Sequence, residues 1–461
     1  MSIDTQATPQ DGVVKKGGSL SGPKGLPFFG VIGEYAKSQL EFLSKNAMEY
    51  GDAFVFPIMG EGIFVFVHPD AMEEILVKKH SKFHKNRGMR HLSVGVGQGL
   101  LISEGDVWKK SRKLVAPSFK RAQIATYADT MVKHAIHHSK QLQNVAMHDI
   151  TIVMNHLALD VVADTMFGAS IGENAELISE AIDDMMEWFI QRMRSWRRIL
   201  PPNFPTFRRL KTQRKINAVD QVLFKIIEER RQSNEERVDL LSLLLRARDE
   251  DGSSLTDQQL RDEAFTIFVA GHETTALSLS YAIWLLAMNP DCQEKICEEV
   301  DRVLGQRAAS AEDLSSLTYT NAVVQEAMRL YPPAWAIGRE AIEDVEIQGT
   351  FVPKGTQIFL PPWVVHRDPR WYKSPNKFLP ERWMEKPVSM RHRFEWMPFG
   401  GGARICVGNH FAMMEANLLL ATLMQHVTFS PVHQEPLELT PAVTLRPKHG
   451  IPLHIRPRHQ G

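Results

Sequence analysis

The chain has 461 residues, 43% of them hydrophobic and 23% charged, and a formal net charge of zero. Such a length allows about three ordinary domains and a large core, and the neutral balance gives no general reason to expect nucleic acid or an acidic partner. Three cysteines, Cys292, Cys297 and Cys406, cannot build a disulfide framework, which fits a reducing compartment.

Residues 1–25 are polar and glycine-rich, lack the apolar core of a signal peptide and read as a flexible tail, with one domain over 26–461. "GPKGLPFFG" (Gly22 to Gly30) reads as an extended entry pinned by proline. "AFVFPIMGEGIFVFVHP" holds two strand-like runs around Gly60-Glu61-Gly62, which predicts a hairpin. The chain is then mostly helical by periodicity to about residue 330, with a Pro-rich break at "LPPNFPTF" (Leu200 to Phe207). The basic, aromatic stretch from Arg192 to Lys215 reads as a mobile lid, with contact to a membrane or nucleic acid as the alternative. Strand signals return at "DVEIQGTFVPKGTQIFLPP" and at "LELTPAVTLRPKHGIPLHI", so the β-rich portions lie near 53–68, 344–362 and 437–455. No uninterrupted run of 18 apolar residues occurs, so no transmembrane anchor is expected. The expectation is a mainly α fold with small β-sheets, soluble, cytoplasmic and monomeric.

"TDQQLRDEAFTIFVAGHETTALSLSYAIWLLAMNP" predicts one long helix. Thr256 and Gln259 form a capping box, and Asn289-Pro290 stops it. Ala270, Glu273 and Thr274 share a face by their spacing, giving room, an acid and a hydroxyl in mid-helix. A plainer reading is a local bend with threonine bonded to its own backbone. In "NAVVQEAMRLYPPAW", Glu326 and Arg329 lie one turn apart among apolar neighbours, which predicts a buried pair. In "VWKKSRK", Trp108 and Arg112 share one helix face, and Lys109 and Lys113 another.

"FGGGARICVG" (Phe399 to Gly408) holds the third cysteine. Its glycines let backbone approach a flat, bulky group. Cys406 precedes a helix-like run, where free N–H groups favour thiolate, and Arg404 suits a carboxylate. That is the donor set for haem iron and a propionate; an inert buried thiol is the alternative.

This loop resembles the F-x-x-G-x-R-x-C-x-G haem-binding loop of the cytochrome P-450 superfamily, with Phe399, Gly402, Arg404, Cys406 and Gly408 in register. "AGHETT" is similar to the family's oxygen-activating motif, Glu326-x-x-Arg329 to its E-x-x-R, and "FLPERW" to its P-E-R-F, with Trp383 for phenylalanine. The resemblance runs from about Gly22 to Arg458 with the motifs in family order, as in a soluble bacterial-type single-domain member.

The resemblance implies haem b between the long central helix and the Cys-loop helix, with Cys406 as the metal ligand. Trp108, Arg112, Arg339, Phe399, Arg404 and Gly408 would bind the cofactor, and Glu273 and Thr274 would relay protons to dioxygen. Glu326, Arg329 and Arg382 would be structural, and Val269, Ala270, Ala334, Trp335, Ala336, Val443 and Thr444 would line the pocket. The implied activity is O2-dependent hydroxylation of a lipophilic molecule such as a fatty acid, terpenoid or steroid. Electrons would come from NAD(P)H through a ferredoxin or flavodoxin and its reductase, docked near Lys109, Lys110 and Lys113. A peroxide-driven peroxygenase and a non-catalytic haem sensor or carrier are the alternatives.

Overall fold

The computed structural model describes residues 20–168, 174–193, 206–232, 239–249 and 252–458. Most of the expected 1–25 tail and residues 194–205 of the basic stretch lie outside them. Residues 20–25 are not part of a free tail: the Val55 N–H donates to Ser21 O at 3.1 Å.

Eight helices position the site. They are α1 (Gly105–Val115), α2 (Ala128–Leu142), α3 (Ile150–Phe167), α4 (Ala175–Met193), α5 (Phe207–Gln232), α6 (Asp257–Met288), α7 (Thr318–Leu330) and α8 (Asn409–His426). The 32-residue α6 spans roughly 48 Å at 1.5 Å per residue. Both halves of its capping box form: Gln259 N–H donates to Thr256 Oγ1 at 3.2 Å, and Thr256 N–H to Gln259 Oε1 at 2.9 Å. Its polar residues are scattered rather than confined to one stripe, so it is buried on nearly every side. It packs on α3, α5, α7 and α8. Helix α3 is long and apolar enough to cross a membrane, yet 67% of it is buried in the protein, against α6 and α2.

The strands are β1 (Ala53–Ile58), β2 (Glu61–Phe66), β3 (Phe83–Lys85), β4 (Met147–Asp149), β5 (Ile337–Ala341), β6 (Val345–Ile347), β7 (Thr350–Val352), β8 (Gln357–Leu360), β9 (Val427–Pro431), β10 (Leu439–Pro441), β11 (Leu445–Pro447) and β12 (Pro452–Pro457). The main sheet runs β1-β2-β8-β5-β3, parallel only between β2 and β8. The expected hairpin forms, but its turn is Met59-Gly60 rather than 60–62. Both residues have positive φ (51° and 80°), as a two-residue type I′ turn requires, and Glu61 already pairs with Ile58. A helical core surrounds α6, and a smaller one lies under the sheet around Phe54, Phe56, Val65 and Ile358.

The described ends of the basic stretch do not form a bare cationic surface. Arg208 lies 2.5 Å from Glu187, and Lys215 lies 3.0 Å from Glu180 and 3.1 Å from Asp184, all on α4. Opposite charges on the neighbouring helix thus offset Arg208 and Lys215.

Candidate active site

The Cys loop is closed by its own backbone. Cys406 N–H donates to Phe399 O at 3.0 Å, and Ile405 N–H to Gly402 O at 3.1 Å. Gly402 has φ +69°, and a Cβ there would lie 1.7 Å from Leu76 O, so this position admits no side chain. Cys406 is accessible to water yet surrounded by protein, as befits the wall of an internal pocket. Burial pushes its thiol pKa up, against the expected lowering. The Gly408 N–H and the Arg112 guanidinium oppose that rise, while α8 starts only at Asn409.

The cofactor-binding residues of the sequence reading gather beside this loop. Arg112 Nη1 donates to Ile405 O at 2.8 Å. Arg404 Nη1 donates to Ser103 O at 2.8 Å, Nη2 pairs with Glu104, and its guanidinium stacks 4.1 Å from the Trp108 ring centre. Arg339 is deeply enclosed, its guanidinium donating to Gly338 O at 2.9 Å, and burial followed by Arg404 holds its pKa down to about 10.

Two members of the cluster carried no motif. Glu104 accepts from Lys85 N–H at 2.8 Å, and Lys85 Nζ donates to Leu100 O at 3.1 Å. Burial, then Arg404, pulls Lys85 down to about 7. Arg404 pairs with Glu104, Arg339 and Lys85 lie within the field of the same carboxylate, and Glu263 also acts on Lys85. A cluster with surplus positive charge beside a thiol in a glycine-lined loop fits a dianionic, iron-bearing haem.

On α6, Ala270 is exposed and Gly271 and Thr274 are half-exposed, although the helix around them is buried, so α6 is open at this turn. Thr274 Oγ1 donates to Ala270 O at 2.6 Å, the back-bond of the plainer reading, and its oxygen remains an acceptor. Glu273 does not share the open face. It is buried; its Oε1 accepts from Thr444 Oγ1 at 2.6 Å and from Arg446 Nε, while Oε2 has no hydrogen-bond partner among the described residues. Arg446, which the sequence reading missed, also lies 3.8 Å from Asp183 on α4.

Of the pocket residues, Ala334, Ala336 and Val443 are half-buried. Val269 belongs to the helical core, and Trp335 lies in the sheet core with Nε1 donating to Ala442 O at 2.9 Å. Thr444 is committed to Glu273. All three side chains are buried in the protein.

Two contacts tie α6 to the thiol side. Leu100 N–H donates to Glu263 of α6 at 3.0 Å, in the segment whose Ser103 O holds Arg404. Thr275 Oγ1 donates to Glu415 of α8 at 3.1 Å. The turn Ala270–Thr274 therefore lies between two anchor points to the Cys loop and its helix.

Glu415 is fully enclosed, and burial raises its pKa from the usual carboxylate range to about 8, with Thr275 opposing. The folded state thus holds a proton that the unfolded chain releases. Stability from this proton is complete below the unfolded pKa and is lost as pH rises to about 8. Denaturant unfolding of wild type between these pH values should show that decline, and Glu415→Gln should flatten it; equal slopes would place the titration elsewhere.

The E-x-x-R motif is structural. Arg329 and Glu326 are wholly buried and joined by two bonds of 2.8 Å. Arg382 Nε and Trp383 Nε1 reach Glu326 at 3.0 and 2.9 Å, so the tryptophan that replaces phenylalanine adds a donor. Arg329 also holds the carbonyls of His366 and Pro375, both at 2.6 Å. His366, kept neutral by burial with its pKa near about 3, accepts from Met397 N–H at 2.9 Å. The pair thereby steadies the chain two residues ahead of Phe399.

Comparison with known proteins agrees with this geometry. The cytochrome P450 family model matches residues 20–453. A putative cytochrome P450 132 of Mycobacterium bovis is 32% identical over 435 residues, covering 87% of this chain and 91% of that protein. A cytokinin hydroxylase of Arabidopsis thaliana is 32% identical over 425 residues (89% and 81%), and a cyclooctatin synthase of Streptomyces melanosporofaciens 29% over 443 (94% and 93%). With its thiol loop, cationic cluster and buried E-x-x-R brace, the chain belongs to the cytochrome P450 family.

Proposed function

We propose that this cytochrome P450 hydroxylates a lipophilic small molecule of the fatty-acid, terpenoid or steroid class, within one domain over 26–461. The observation that carries the reading is the opening at Ala270–Thr274, bracketed by the two contacts to the Cys loop and its helix. Cys406 would ligate haem iron, and Arg112, Arg339, Arg404, Trp108 and Lys85 would face its propionates. Bound there, haem supplies activation of dioxygen and transfer of one oxygen atom into a C–H bond.

The chain's own part is placement and proton supply. Ala270 and Gly271 leave room for substrate, and the half-buried Ala334, Ala336 and Val443 offer it an apolar surface. Thr274 presents its oxygen lone pairs to the pocket and holds a proton on the Ala270 carbonyl. Glu273 would serve the proton supply from behind this face, with one oxygen held by Thr444 and Arg446.

Electrons from NAD(P)H are proposed to arrive through a ferredoxin or flavodoxin in a cytoplasmic setting. Of the docking lysines, Lys109 faces Asp106 and Lys113 faces Asp249, each at 3.0 Å. Lys110 donates to the neutral Ser253 hydroxyl at 2.7 Å, so among the described residues its charge is the least compensated of the three. The docking role rests chiefly on Lys110.

A haem-absorbance screen of lipophilic compounds tests the reading, followed by turnover with dioxygen and reductant or with peroxide alone. Turnover confined to peroxide would replace it. Thr274→Ala is expected to lower coupled product formation about a hundredfold while leaving the reduced carbonyl spectrum unchanged. Unaltered product per NAD(P)H would remove Thr274 from the proton path.

A further inference from the structure

A groove of about 420 Å³ lies between the first turns of the helix Gln39–Tyr50, the pair Trp363 and Arg367, and strand β10. None of its lining residues belongs to α6 or to the Cys loop. Leu439 and Pro441 of β10, with Leu437 just before it, supply apolar surface. In the hairpin β10-β11, Leu439 pairs with Pro447 and Pro441 with Leu445. The groove therefore shares a wall with the hairpin that holds Glu273 through Thr444 and Arg446.

Arg367 is a cation here that no carboxylate offsets. Its guanidinium lies 3.3 Å from the Trp363 ring centre, donates to Leu330 O and reaches Trp363 O at 3.5 Å. Among the described residues no acid pairs with it, and Glu326, whose field it feels, is taken up by Arg329, Arg382 and Trp383. Burial holds its pKa down to about 9, and an enclosed guanidinium ordinarily has an anionic partner. The Gln39 side chain points the same way: its Oε1 is sealed from water and has no hydrogen-bond partner among the described residues. A half-turn of that amide would present Nε2 to the groove. Ser38 makes no side-chain cap, so it leaves the first amides of the helix without a side-chain acceptor. At the rim Lys37 adds a positive charge and Glu41 a negative one, so Arg367 leaves the groove cationic.

We propose that this groove is a second ligand site, which takes a small aliphatic carboxylate with its charge on Arg367 and its chain along Leu439 and Pro441. In such an enclosed place a charge-assisted bond to a guanidinium fork is strong and sets direction. The ligand steadies β10 and, through the hairpin, the partners of Glu273. This effect on Glu273 rests on the proton-supply reading, whereas the site itself needs neither haem nor turnover.

Hydrogen exchange of the full chain, titrated with decanoate and with decanol, tests this. Saturating decanoate is expected to slow exchange at 39–44 and 439–447 about tenfold, and decanol should need a concentration at least about tenfold higher for the same protection. Ser44→Glu places a carboxylate in the groove wall and should weaken decanoate about tenfold without moving the thermal midpoint. Arg367→Gln should abolish the preference for decanoate over decanol; Ser44→Glu keeps the test readable if that variant fails to fold. Equal binding of the acid and the alcohol, wild-type affinity in Ser44→Glu, or protection confined to Ala270–Thr274 would overturn the proposal. Exchange is read without haem, so the result stands apart from the haem reading.

Discussion

Cys406→Ser is expected to abolish oxygenation while leaving the fold in place. The bond that closes the loop is Cys406 N–H to Phe399 O, which serine keeps, and the serine hydroxyl is close to the thiol in size. Thermal unfolding should therefore change little. What disappears is the sulfur that would ligate haem iron as its electron-rich donor. The cluster of Arg112, Arg339 and Arg404 is untouched, so haem uptake should persist in part. The measurement is the absorbance of the reduced carbonyl adduct, which should lose its thiolate signature as product formation vanishes. A retained signature, or retained turnover with dioxygen and reductant, would mean that another residue ligates the metal.

Arg329→Ala should be the most destabilising single change in the motif set, by about 3–5 kcal/mol. Arg329 is fully buried and bonded to Glu326 and to the carbonyls of His366, Pro375 and Lys377. Alanine leaves a buried carboxylate and three carbonyls short of their donor, and opens a cavity. Arg329→Lys should rescue little, because an ammonium cannot reproduce the planar fork. Lys295–Glu381 makes the contrast: both side chains are substantially exposed, and its loss should cost less than about 1 kcal/mol. Soluble yield, haem content and thermal midpoint of the variants measure the difference. A near-wild-type midpoint for Arg329→Ala would show that the brace is not needed for folding.

Part of the site could be read before any coordinates. The capping box of α6, its stop at Asn289-Pro290 and the hairpin at β1-β2 are local signals within a few residues; the first two appear where the pattern puts them, and the hairpin forms with its turn shifted to Met59-Gly60. The E-x-x-R pair was legible as buried because its neighbours leave no polar face. Glu273 was legible as a residue but not as a geometry. Helical spacing places it near Thr274, whereas its carboxylate is turned to Thr444 and Arg446, more than 170 positions along the chain.

The same division explains the remaining differences. Residue type and short-range spacing suffice for helices, turns, the thiol loop and the family, since backbone sterics and capping act over a handful of residues. Partner choice does not follow from spacing. Glu104 with Arg404, Lys85 with Leu100, Glu415 with Thr275 and Arg261 with Asp220 all join segments that only packing brings together. Burial then sets their protonation, raising Cys406 and Glu415 and lowering Lys85 and Arg339, because desolvation depends on everything folded around a charge rather than on its neighbours in the chain.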